Sequence, residues 1–209
     1  PDLSGGVDIS LYEATGCALL ADATAVCWGQ ANEGHLGDGE PVITNDDHYR
    51  GNTTPTPVVS TSGTGKLTDL TQITLGSEHA CALDTAGAVY CWGRGGARLG
   101  TGVTTGRNSI PAQVTTIPAG RTAVDVAPGP SSTCAVLDDT SVKCWGFASE
   151  GIYNYLGDGD GDNGGVVMTD AAATTPLTGV VDIVAGNIGY CALRDDATMW
   201  CWGSNTSGL

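Results

Sequence analysis

The sequence predicts an all-β chain built from four copies of one small sheet, stacked on one another. Three observations predict it. Eight cysteines fall as Cys17/Cys27, Cys81/Cys91, Cys134/Cys144 and Cys191/Cys201, with nine residues inside every pair. Each first cysteine opens Cys-Ala, and each second opens Cys-Trp-Gly. Between them lie two short apolar runs around a turn-forming centre, the pattern of a hairpin. One such sheet cannot bury its apolar face alone, so neighbours must stack, either in line or radially, and radial closure gives a β-propeller.

Each element follows in order along the unit. Eight residues before the first cysteine stands Ile9, Ile73, Val126 or Ile183, the mark of a preceding strand. The next strand carries the first cysteine with Leu19, Leu83, Val136 or Leu193 two places on. A hairpin symmetric about residue 22, 86, 139 or 196 sets the two cysteines directly opposite each other, close enough to bridge. Zinc fingers and ribbons would hold two to four residues inside a cysteine pair, so disulfides are expected instead of metal thiolates. Strand alternation then turns Trp28, Trp92, Trp145 and Trp202 to the face opposite the neighbouring cysteine, as large packing residues. A Leu-Gly turn follows as Leu36-Gly37, Leu99-Gly100 and Leu156-Gly157. The first cysteines stand 64, 53 and 57 residues apart. The expected organisation is one propeller-like domain over 1–209, with repeats near 1–54, 55–109, 110–174 and 175–209, the last truncated.

Composition narrows the function. Eight Lys and Arg stand against 23 Asp and Glu, for a net charge of −15. Clustered cations are what nucleic acids and anionic membranes recognise, so both are excluded as expected partners. No apolar run reaches the length of a membrane-spanning helix. Four expected disulfides place the chain in an oxidising compartment, extracellular or at the cell surface.

The repeated Cys-Ala-Leu, Val-x-Cys-Trp-Gly, Gly-x-Leu-Gly-Asp-Gly and Thr-Pro-x-x-Val segments resemble the regulator of chromosome condensation repeat. The version with one cysteine pair per repeat looks like that of secreted bacterial members. The Thr-Pro element stands at Thr56-Pro57-Val58-Val59 and Thr175-Pro176-Leu177, and more loosely at Ile110-Pro111. The resemblance implies a propeller, usually of seven blades, that presents loops to a protein partner. With four repeats, the chain is expected either to be part of such a propeller or to be completed by oligomerisation. Nuclear members exchange guanine nucleotides on a small GTPase and bind chromatin; the expected disulfides and the acidic charge speak against both roles here.

Few residues escape the repeat. His79 sits two before Cys81, where the family repeat often has a histidine; His35 lies in the Gly-x-Leu-Gly turn and His48 in a long acidic loop. The glycine-rich run from Gly93 to Gly100 aligns with the repeat and has no Lys-Ser/Thr after it, unlike a phosphate loop. No nucleophile elbow or zinc-protease motif is present, so no catalytic residue is expected. Asp158, Asp160, Asp162 and Asn163 alternate on a Gly-rich turn and are the candidate calcium ligands, although the bidentate Glu of an EF-hand is replaced by Thr169. No other cofactor is expected. Asn52 and Asn205 open glycosylation sequons. The expected function is a non-enzymatic extracellular protein-binding or scaffolding module whose loops near 38–56, 101–110 and 157–175 carry recognition. The alternative is a structural subunit of an extracellular assembly or filament that closes its open edges against other copies.

Overall fold

The structure, a computed structural model, describes residues 4–42, 51–103, 106–147, 156, 167 and 175–203. Strands β1 (Gly6–Tyr12), β2 (Thr15–Leu20), β3 (Ala25–Gln30) and β4 (Gly51–Pro57) form the first antiparallel sheet in chain order. The second holds β5 (Leu70–Leu75), β6 (His79–Asp84), β7 (Val89–Arg94) and β8 (Arg107–Gln113). Three described strands make the third, β9 (Ala123–Pro128), β10 (Ser132–Leu137) and β11 (Val142–Gly146). Three more make the fourth, β12 (Val180–Ala185), β13 (Gly189–Arg194) and β14 (Met199–Gly203).

The middle strands pair in one register throughout. Cys17 faces Cys27, Cys81 faces Cys91, Cys134 faces Cys144 and Cys191 faces Cys201. Each pair forms a disulfide, with Cα atoms 4.0–4.2 Å apart. That is the short spacing of a non-hydrogen-bonded antiparallel pair.

The two described fourth strands begin inside segments expected to be loops. β4 overlaps 38–56, and β8 overlaps 101–110. Both are Thr- or Ser-bearing and contain proline, with no apolar alternation to announce a strand. They pair on one side only, as the outermost strands of their sheets, and an edge strand tolerates a residue that cannot donate to the ladder.

Each blade presents two unlike faces. One carries the disulfide and its flanking aliphatics; the other carries the repeated Ile or Val, the alanine after the first cysteine and the tryptophan. The disulfide face of each of the first three blades packs on the tryptophan face of the next. Cys17, Leu19, Ala25 and Cys27 thus meet Ile73, Leu75, Ala82 and Trp92. Cys81, Leu83, Val89 and Cys91 meet Val126, Ala135 and Trp145. Cys134, Val136, Val142 and Cys144 meet Ile183, Tyr190 and Ala192. The core is therefore three seams between blades.

Trp92 and Trp145 lie across two of these seams onto the preceding blade's Leu-Gly turn. A Cβ on Gly37 would stand 2.7 Å from the Trp92 indole nitrogen, and one on Gly100 would stand 2.5 Å from that of Trp145. Both glycines also have positive φ, so the turn needs glycine for its backbone and for the room above it. Trp92 and Trp145 are fully buried, whereas Trp28 and Trp202 are half-buried. Trp28 lies on the first of the described blades, and no described turn covers it.

Candidate interaction face

The meander brings two sets of connections to one end of the blades. They are the turns after the inner strands (13–14, 76–78, 129–131 and 186–188) and the described residues that directly follow β3, β7 and β11. Backbone bonds tie the sets together: Gln30 N–H donates to Ala14 O, Arg94 N–H to Glu78 O, and Phe147 N–H to Ser131 O.

Charged side chains gather here across blade boundaries. Glu78 accepts from both Arg94 and Arg98. Arg98 is buried, donates to Pro130 O at 3.1 Å, and sets its guanidinium 5.3 Å from the centre of the exposed Phe147 ring. Guanidinium over an aromatic face is attractive and fixes both groups. Arg107 on β8 reaches back to the first blade and holds Glu33 through two bonds, of 2.6 and 3.0 Å. Burial pushes the Glu33 carboxyl up, but the Arg107 hydrogen bond and charge outweigh it and hold it below the ordinary range.

Beneath this surface the seams carry hydrogen bonds. The Trp92 indole donates to His35 O at 2.7 Å, and Thr133 Oγ1 donates to the equivalent Arg98 O at 2.9 Å. His79 Nε2 lies 2.7 Å from that same hydroxyl oxygen. The single Thr133 proton is already given to Arg98, so His79 donates through Nε2 and Nδ1 bears the lone pair. His35 donates through Nε2 to Ser77 O at 3.3 Å. Burial pushes the His35 ring down, and it pushes His79 down to about 3, aided by the nearby Arg98 charge. Both rings are neutral structural members of the seams.

The inner strands carry a second ladder. Gln72 donates to Asp125 Oδ1 at 2.7 Å and accepts Val126 N–H at 3.1 Å, and Asp125 Oδ2 accepts Ile183 N–H at 3.1 Å. Burial raises the Asp125 carboxyl, partly opposed by the Gln72 hydrogen bond. The opposite end of the blades carries the hairpin turns. There Asp22, Asp139 and Asp196 accept from Thr24, Ser141 and Thr198, which holds all three below the ordinary carboxylate range.

Of the residues singled out from the sequence, Asn52 is half-buried on β4 and accepts Thr54 N–H through Oδ1 at 3.1 Å. Asp158, Asp160, Asp162, Asn163 and Asn205 lie outside the described residues. Among the described residues, no three His, Cys, Asp or Glu side chains are placed to hold a metal ion, and no helix is long and apolar enough to cross a membrane. Sequence reading missed the Glu78–Arg94–Arg98–Phe147 cluster. One signal was available: the position after Cys-Trp-Gly is Gln30, Arg94, Phe147 and Ser204, variable beside an unvarying motif.

Residues 70–97 and 180–209, and residues 86–136, match the family models of the regulator of chromosome condensation (RCC1) repeat. The human E3 ubiquitin-protein ligase HERC2 is 30% identical over 189 residues, which is 89% of this chain and 4% of the ligase. The crystal structure of human WBSCR16 superposes with a TM-score of 0.67 at 20% identity, over 95% of this chain and 47% of that one. Prp20p from Saccharomyces cerevisiae, a structure described with its binding properties to Gsp1p and histones, gives 0.67 at 17% identity, over 97% and 47%. The chain thus spans under half the length of each. Repeat, register and fold agree: the chain belongs to the regulator of chromosome condensation repeat family, with blades of its β-propeller and one disulfide in each of its four repeats.

Proposed function

We propose that the chain is a non-enzymatic, extracellular protein-binding module that recognises its partner through the end bearing Glu78, Arg94, Arg98 and Phe147. The single observation that carries this reading is Phe147, an exposed aromatic ring held over a buried arginine that Glu78 in turn fixes. Aromatic and arginine side chains that are already immobilised lose little entropy on binding, and such residues dominate interface energetics. Prp20p, a propeller of the same fold described with its binding to Gsp1p and histones, supports protein recognition by analogy. Four disulfides with no free cysteine support an oxidising compartment. The neutral, buried rings of His35 and His79 are poor acid–base catalysts, which supports a non-enzymatic role.

The test immobilises the oxidised protein and exposes it to the secreted proteins of its source, beside the variants Phe147→Ala and Asp22→Lys. A protein retained by the wild type and by Asp22→Lys, but lost with Phe147→Ala, supports the reading. Retention indifferent to Phe147, or no specific retention, overturns it.

A further inference from the structure

Arg98 shows what fills the mouth of a seam at this end of the blades. It stands directly before the Leu99-Gly100 turn of the second blade, and its guanidinium joins the Glu78 carboxylate to Pro130 O on the third. The first blade has His35 at the corresponding place, before Leu36-Gly37. Its Nε2 donates to Ser77 O at 3.3 Å. Ser77 and Pro130 are counterparts, each four residues before the first cysteine of its repeat. The two seams therefore offer the same turn carbonyl to the same position of the preceding blade. One is reached by a long, charged side chain and the other by a shorter ring that burial keeps neutral.

Beside His35, between the first and second blades, lies a cleft of about 190 Å³. Glu13, Glu33 and Glu78 line it, and no lysine or arginine does. Arg107 holds Glu33, and Arg94 with Arg98 holds Glu78, so both carboxylates are fixed without a cation in the cleft lining. Glu13 is exposed and has no ionic partner among the described residues. His35 forms the buried part of the wall. It is 6% exposed, and its Nδ1 has no hydrogen-bond partner. With the proton on Nε2, that nitrogen offers a lone pair, one more acceptor beside the carboxylates. A buried acceptor left unpaired costs stability, and it points to a donor that the chain does not supply.

We propose that this cleft takes an arginine side chain of the protein partner, its guanidinium received by Glu13, Glu33 and His35 as the chain's own Arg98 is received one seam along. A guanidinium is planar, always charged and carries five donors in a fixed fork, so it can engage carboxylates and a ring nitrogen together. An ammonium is a more strongly hydrated point charge without that fork. The acidic side chains and His35 are not grouped closely enough to hold a metal ion. A net charge of −15 also draws a basic partner surface toward the chain. The inference rests on the reading of this end as a protein-binding face and adds the residue type that the face selects.

Titrating acetyl-arginine amide into the isotope-labelled, oxidised chain tests it by nuclear magnetic resonance, with the uncharged isostere acetyl-citrulline amide alongside. The Trp92 indole N–H reports on the site, because it donates to His35 O at 2.7 Å. The arginine probe should shift that signal and the Ser77 and Glu78 amides saturably, and the citrulline probe should not. Glu13→Gln alters an exposed side chain and should weaken binding about fivefold, the worth of one exposed ion pair. His35→Arg sets a guanidinium of the chain's own at the place that Arg98 occupies one seam along, and should abolish the response. Circular dichroism checks its fold, and Glu13→Gln alone decides if it does not fold. No saturable shift at millimolar probe, an equal response to citrulline, unchanged binding in Glu13→Gln, or binding retained in a folded His35→Arg each overturns the proposal. The titration needs no partner, so its failure leaves Phe147-dependent retention standing, and loss of that retention beside a positive titration overturns the protein-binding reading instead.

Discussion

His79 makes the fold sensitive to acid in a range where carboxylates are still charged. Its ring is fully buried between the second and third blades, and burial together with Arg98 pushes its pKa from 6.5 to about 3. In the unfolded chain the ring returns to the ordinary value and takes a proton as pH falls, whereas in the fold it does not. The unfolded state then binds more protons, so stability is complete above pH 6.5 and is lost as pH falls toward 3. At pH 5 an unfolded histidine of pKa 6.5 is about 97% protonated, and the linkage cost of that one site is about 2 kcal/mol, rising to about 3 kcal/mol at pH 4. The perturbation is a shift from pH 7 to pH 5, applied to the wild type and to His79→Gln, which keeps a hydrogen-bonding group for Thr133 but does not titrate. Urea unfolding at both pH values gives the readout. The wild type should lose about 2 kcal/mol more than the variant over that interval, with part of any remaining slope due to His35, whose ring is also held down by burial. Equal losses in the two proteins would refute the reasoning. They would mean that the ring finds water or an acidic partner on protonation and is not the sealed member of the seam between Thr133 and Arg98.

Two further outcomes follow from the blade geometry. Each disulfide closes a loop of sequence separation 10, worth about 3 kcal/mol in the chain-entropy treatment, so four approach the whole stability of an ordinary domain. Reduction under native conditions should unfold the chain at room temperature, with circular dichroism as the measure, and a reduced chain that keeps its cooperative transition would contradict it. Gly100→Ala should cost about 2–4 kcal/mol in urea unfolding, because its Cβ meets the Trp145 indole as well as a left-handed backbone. Gly102→Ala, at φ +80° with open space around it, should cost only about 1–2 kcal/mol, and equal losses would deny the indole its place on the turn.

The parts of the fold legible in the sequence are those that every blade must repeat. The disulfide pins β6 to β7 at one register, so a nine-residue interval between Cys81 and Cys91 was enough to centre the hairpin on Ala86. The Ile or Val eight residues earlier betrayed the inner strand because it must fill the next seam. β4 and β8 were not legible, since an outermost strand that pairs on one side and half faces water has no need of apolar alternation. The seams' polar members were hidden for a different reason. His35, Arg98, His79 and Thr133 come from three different repeats, and only stacking brings a donor from one blade to a carbonyl of another. The Gly93–Gly100 run read as a plain repeat loop, yet stacking buries its Arg98 against Glu78, Pro130 and Phe147.

That contrast says where in such a chain recognition should be sought. Positions that repeat are bound by the seam, because the same neighbour must be met at each turn of the arc. A position adjoining the unvarying Cys-Trp-Gly is placed just as firmly by the disulfide and the tryptophan, but it points past the seam and meets no repeated neighbour. Gln30, Arg94 and Phe147 occupy that position on three successive blades, with Glu78 and Arg98 joining two of them into one cluster. Their variation is therefore free of the packing constraint while their backbone is not. A surface of that kind can differ from blade to blade and still be rigid, which is what a protein partner of low symmetry requires.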